Sequence, residues 1–202
     1  MADLFKGKSK DWDANEMVKL LSAAIGSLIV QQVPLNAHTI VMDFGAGTGL
    51  ISSHVAPLVK QIVAVDISEV MLNNLAAKPE LQGKVRIVCQ DILKTAIDEN
   101  FDLIMSAMAM HHVKDTPRLI QRFAEQLKPG GLIALADLDT EDGSFHPQGT
   151  EGIFHFGFDR DTLRTLLEKY GFVEICFRTA HIVHKKEMSF PVFLVTARQK
   201  EV

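Results

Sequence analysis

The chain has two cysteines, one tryptophan and one tyrosine in 202 residues, and neither charge sign dominates it. Cys89 and Cys176 stand far apart and lack metal-type spacing, which excludes a disulfide framework or a zinc ribbon. Each falls on a predicted strand, and both are expected to be buried thiols. No apolar run approaches the about 18 residues that a membrane span needs. Residues 1–13 mix charges with glycine and show no apolar signal core, so a soluble, cytoplasmic protein without membrane insertion is expected. With 21 basic against 25 acidic residues, the net charge of −4 leaves no basic footprint for a phosphate backbone, and no nucleic-acid partner is expected. There is no internal repeat, low-complexity tract or linker, so the length fits one domain. Function has to be read from motifs.

The most informative one is Val41-Met42-Asp43-Phe44-Gly45-Ala46-Gly47-Thr48-Gly49. Ile40, Val41 and Met42 form an apolar run typical of a buried parallel strand, and the glycines allow a sharp turn and close approach to a ligand. Residues 50–58 then read as a helix. A ligand belongs at the carboxyl end of such a strand. The rival G-x-G-x-x-G dinucleotide fingerprint is broken, because the third glycine falls at 49 and position 50 is Leu50.

Residues 15–33 place apolar side chains at helical spacing ahead of Pro34. Strands and helices then alternate: strands ending at Asp43, Asp66, Cys89, Ser106 and Leu138, with helices from about Leu50, over 68–77 and over 115–127. Alternation of this kind predicts an α/β fold, a doubly wound parallel sheet with helices on both faces. Ser68 and Asp115 are helix caps, the latter followed by Pro117, and Lys128-Pro129-Gly130-Gly131 is a stop. The period breaks over 139–158, a long segment interleaving glycines with Phe145, His146, Phe154, His155, Phe156 and Phe158. A helix from near Asp159 and two final strands, over 172–182 and 188–197, complete the chain.

Four further segments follow in a fixed order: Val63-Ala64-Val65-Asp66, residues 85–92 with Asp91, Phe101 to Ser106, and Leu127 to Leu135. Together with the glycine turn they resemble class I S-adenosylmethionine-dependent methyltransferases over about residues 41–138. Leu127-Lys128-Pro129-Gly130-Gly131 and His111-His112-Val113 are similar to the small methyltransferases grouped with ubiquinone and menaquinone biosynthesis enzymes. The resemblance implies a Rossmann-like seven-stranded sheet, mostly parallel with a terminal antiparallel strand, and S-adenosyl-L-methionine as cofactor. It divides the single domain into an amino-terminal helical cap (1–36), a cofactor-binding core (37–138), a substrate loop (139–158) and a closing helix and strand pair (159–202).

The same resemblance implies roles. Asp66, 17 residues after Gly49, would accept both ribose hydroxyls, or else cap the helix near Ser68. Asp91 would meet the adenine amino group with Ile92 against the ring, or serve as a turn acid. Asp43 would hold the methionine amino group or brace the loop. Gly45, Ala46, Gly47, Ile67, Met71 and Ser106 complete the expected cofactor contacts. Trp12 either closes over the cofactor or plugs the core. On the acceptor side, His111 and His155 are the catalytic candidates, His111 as a proton acceptor and His155 as a loop residue meeting the acceptor, with His146 a substrate contact, whereas His112 is expected to pack or to bond to backbone. Asp137, Asp139, Glu141 and Asp142 read as a solvated loop edge, and no metal is expected. Ala107-Met108-Ala109-Met110 lacks the acid of metal-dependent catechol-type relatives, the Asn/Asp-Pro-Pro-aromatic segment of DNA base methyltransferases and the paired glutamates of arginine methyltransferases. A small-molecule acceptor remains, with a catalytically silent cofactor-binding protein as the alternative.

Overall fold

The computed structural model describes residues 12–201, so most of the amino-terminal stretch 1–13 lies outside the described residues. The elements are α1 (Glu16–Gln32), β1 (Ile40–Phe44), α2 (Leu50–Val55), β2 (Gln61–Asp66), α3 (Glu69–Ala76), β3 (Val85–Cys89), β4 (Phe101–Ala107), α4 (Thr116–Gln126), β5 (Leu127–Leu138), α5 (Arg160–Lys169), β6 (Phe172–Lys185) and β7 (Met188–Gln199). Helix starts follow local chemistry. Asn15, Ser68, Asp115 and Asp159 each accept from amides of the first turn that would otherwise lack partners.

The seven strands lie in the order β3-β2-β1-β4-β5-β7-β6. Neighbours from β3 through β5 pair in parallel, while β7 runs antiparallel to both β5 and β6. Lys128-Pro129-Gly130-Gly131 is absorbed into the start of β5, where the register against β4 shifts between Phe101 and Leu103.

Alternation along the central strands sends successive side chains to two apolar layers. Val41, Ile62, Leu103 and Met105 pack with Leu21, Ile25 and Ile29 of α1, Ile51 and Val55 of α2, and Leu72 and Leu75 of α3. Met42, Val63, Ile104 and Ile133 pack on the other face with Leu119, Ile120 and Phe123 of α4 and Leu163 and Leu167 of α5. Each such side chain contributes about 1.5–3 kcal/mol on full burial, and the two layers hold the carboxyl ends of β1, β2, β4 and β5 at one edge.

The thiols depart from expectation. Cys89 is on β3 and Cys176 on β6, the two outermost strands, and both are exposed. An edge strand covered on fewer sides does not bury every alternate residue.

Candidate functional site

Strand order puts β1 at the centre with β2 and β4 beside it, so the turn after β1 opens at the sheet's carboxyl edge. Gly45 and Ala46 both donate their N–H to Val65 O, at 2.8 and 3.1 Å, which ties the turn to the end of β2. Gly45 (φ 67°) and Gly47 (φ 54°) occupy the left-handed region. A Cβ at position 45 would stand 2.4 Å from Ala109 Cβ, whereas one at 47 would meet nothing within 4 Å. The first glycine is needed for packing; the second faces open space.

Asp66 closes the arrangement from β2. Its Oδ2 accepts from Gly47 N at 2.8 Å and its Oδ1 from Ser68 N at 2.9 Å, so the carboxylate braces the turn and the start of α3 together. Asp43 is buried one strand away and accepts from Ser52 Oγ at 2.7 Å. Burial pushes its carboxyl up to about 7, the Ser52 hydroxyl pulls it down, and the nearby Asp66 charge adds a further rise. An acid raised in the folded state favours the fold most below its unfolded value near 4, and that advantage is lost as pH rises to about 7. Asp43→Asn removes the effect. Relative to the wild type, the variant should gain on the order of 3 kcal/mol between pH 4.5 and pH 8 in urea unfolding of the ligand-free protein. A difference that stays flat with pH would contradict a strained Asp43.

Above the turn lies a cavity of about 440 Å³, within the ~300–1,000 Å³ range of small-molecule sites. Asp43, Gly45, Ala46, Gly47, Asp66, Ile67, Met71, Asp91 and Ile92 all line it. Trp12, His111 and His146 do too, together with Met17, Leu21 and Ile25 of α1. Asp13, beside Trp12, accepts from Thr48 Oγ1 and pairs with Lys78 Nζ at 2.7 Å, fastening this segment over the glycine turn. Asp91 also accepts from Leu93 N at 3.0 Å, so it is a turn acid that faces the cavity. Met108 is held at φ 56° in the cavity wall, a conformation that costs a non-glycine residue about 1–3 kcal/mol and that clusters at functional sites.

Buried His111, also of the lining, gives Nδ1 to Asp137 Oδ1 at 2.7 Å. Its ring centroid is 4.1 Å from that of His112 and 5.1 Å from that of His146. His112 Nδ1 meets Gly152 O at 2.8 Å, the backbone bond expected of it.

Residues 42–135, from β1 to β5, match the methyltransferase domain family. The matched segment, 94 of the 202 residues, is where the chain is similar to that domain. An uncharacterized methyltransferase of Schizosaccharomyces pombe is 35% identical over 133 residues, covering 58% of this chain and 47% of that protein. A ubiquinone biosynthesis O-methyltransferase of Coxiella burnetii is 30% identical over 141 residues, covering 67% of this chain and 60% of that enzyme. The chain thus spans about half the length of the first relative and three fifths of the second. The fold is shared with the N-methyltransferase NodS from Bradyrhizobium japonicum WM9, solved with S-adenosyl-L-homocysteine, at a TM-score of 0.74 and 18% identity, covering 98% of this chain and 95% of that one.

Two of the expected site residues do not line the cavity. Ser106 is fully buried within β4, and its hydroxyl has no partner. The strand runs one residue further than expected, so Ala107, Met108 and Ala109 form that wall. His155 is also outside the lining. Its Nε2 meets Val113 O at 2.9 Å and Thr116 Oγ1 at 3.1 Å, and its backbone N–H, like that of Phe154, donates to His111 O. It ties the 139–158 loop to the start of α4. His155→Ala should therefore cost about 1 kcal/mol of stability and leave S-adenosylhomocysteine affinity unchanged in calorimetry. A loss of affinity with no change in melting temperature would place this side chain at the ligand instead.

Asp137 was hidden in a different way. It belongs to β5, two residues past the matched segment, and is fully buried. An acid inside the apolar run Leu132 to Leu138 was the available signal. The rest of that acidic group follows the loop-edge expectation: Asp139 forms a bidentate pair with Arg160, at 2.7 Å for both contacts, and Glu141 and Asp142 accept from backbone amides of the loop. Among the described residues no three His, Cys, Asp or Glu side chains gather as a metal site, and no helix is long and apolar enough to cross a membrane.

Proposed function

We propose that the protein transfers the methyl group of S-adenosyl-L-methionine to a small-molecule acceptor by in-line displacement. The observation that carries this is the meeting, in one cavity, of Gly47, where added atoms would find open space, with the carboxylates of Asp43 and Asp66. The lining holds Asp43, Asp66, Asp91 and Asp115 against one lysine, Lys114. That balance suits a cationic ligand bearing hydroxyls and opposes the pyrophosphate of a dinucleotide. The relatives named as methyltransferases support the same reading.

When bound, the cofactor supplies a methyl carbon on a positively charged sulfur. Asp66 would hold the ribose hydroxyls with acceptor capacity beyond its two backbone bonds, and Asp43 would face the methionine amino group. Ile67, Met71 and Ile92 would wall the adenine ring, with Asp91 at its amino edge. A cationic ligand favours the ionised form of Asp43, so affinity should rise with pH through about 7. Trp12, His146 and the 139–158 loop would close the acceptor side. Alignment of this kind supplies about 7–11 kcal/mol of barrier reduction in well-oriented systems, so positioning carries most of the chemistry.

Incubation with methyl-labelled S-adenosylmethionine and a mixed metabolite extract tests the proposal. A labelled small molecule that requires the protein is the expected result; binding of cofactor with no labelled product from any extract would favour the silent, cofactor-binding alternative.

A further inference from the structure

Asp137 and His111 form a buried pair for which cofactor binding has no use. Asp137 Oδ1 accepts from Leu138 N at 2.8 Å as well as from His111 Nδ1, and Oδ2 accepts from His111 N at 3.2 Å. With backbone donors already on both oxygens, the carboxylate acts as an acceptor, and the imidazole proton lies on Nδ1. Nε2 then carries the lone pair. It is buried and has no hydrogen-bond partner, on a residue that lines the cavity. Leaving a buried acceptor unmet costs about 1–3 kcal/mol, which a donor arriving with the ligand would recover.

We infer that His111 Nε2 is the proton acceptor for the methyl acceptor, that Asp137 positions it, and that the acceptor carries a weakly acidic hydroxyl of phenolic or enolic type on an apolar body. This rests on the methyl-transfer reading above. Carboxylates and thioethers need no base, and an aliphatic amine arrives as a cation beside a sulfonium. A phenolic hydroxyl, with a pKa of about 10, is within reach of an imidazole. Phe145, which packs on His146, and Phe154, whose N–H donates to His111 O, give that end of the cavity aromatic walls, and Met17, Leu21 and Ile25 add apolar lining to the same cavity. In the step, the acceptor oxygen forms its bond to the methyl carbon while the carbon–sulfur bond breaks, and that electron pair stays on sulfur. The hydroxyl proton passes to Nε2, and the imidazolium so formed is held by the Asp137 carboxylate until it releases the proton to solvent.

The first test is nitrogen-15 NMR of histidine-labelled, ligand-free protein. His111 should show the Nδ1–H tautomer with Nε2 unprotonated, and Asp137→Asn should disturb it. The second is labelled methyl transfer to phenol, catechol and 2-naphthol, with S-adenosylhomocysteine affinity measured on the same samples. His111→Asn keeps an amide donor for Asp137 and should lower kcat at least 100-fold on any phenol accepted, with KM and cofactor affinity within threefold; Asp137→Asn should lower kcat at least tenfold. An Nε2–H tautomer, an unchanged kcat in His111→Asn, or a wild-type protein that binds S-adenosylhomocysteine yet methylates none of the phenols would overturn the inference. Failure to bind S-adenosylhomocysteine at all would instead overturn the methyl-transfer reading beneath it.

Discussion

Asp66→Ala is expected to raise the dissociation constant of S-adenosylhomocysteine at least 100-fold. Two hydroxyl bonds to a carboxylate, each worth about 1.5–3 kcal/mol, together exceed the roughly 2.7 kcal/mol that a 100-fold change represents. The same substitution strips Gly47 N and Ser68 N of their acceptor, so the turn loses its brace as well as its ligand contact. Asp66→Asn separates the two contributions, since an amide oxygen can still accept from one backbone N–H while the charge is gone. An affinity within threefold of wild type in the alanine variant, with the fold intact by thermal unfolding, would remove Asp66 from the site.

The second large effect is expected at Gly47. A valine there must adopt φ near 54°, at a cost of about 1–2 kcal/mol for an L residue, but its side chain would meet no protein atom at the Cβ position. The fold should survive with a modest loss of stability. The ligand, however, would compete with the new side chain for the same space, so S-adenosylhomocysteine affinity should fall at least 100-fold in calorimetry while circular dichroism stays unchanged. Gly45 offers the contrast, because its neighbour Ala109 leaves no room for a Cβ even before a ligand arrives. Normal affinity in folded Gly47→Val would mean that the turn is not the cavity wall.

Much of this site was legible because it is local. A strand, a glycine turn and an acid at the end of the next strand are consecutive in sequence, and sheet topology brings Asp66 back to Gly47. Ser68 and Asp115 announced their helices because capping is satisfied within a few residues. What was lost depends on long-range placement. His155 carried the composition of a lid residue, yet its partners Val113 and Thr116 lie about 40 positions earlier. Asp137 is obscured by the acids that follow it, which outweigh the local signal of its place within the apolar run Leu132 to Leu138. The exposure of the two thiols is not legible because strand order, which puts β3 and β6 at the edges, is not encoded in the period of either strand. The part played by α1 in the cavity was likewise invisible, since Met17, Leu21 and Ile25 carry the same helical spacing whether they face a core or a ligand.

Calorimetric titration at pH 8, where Asp43 is ionised, puts the central claim to its most direct test. S-adenosylhomocysteine should bind at one site per chain with a micromolar or lower dissociation constant, and NAD should give no heat of binding. Micromolar binding of NAD with no response to S-adenosylhomocysteine or S-adenosylmethionine would contradict the account.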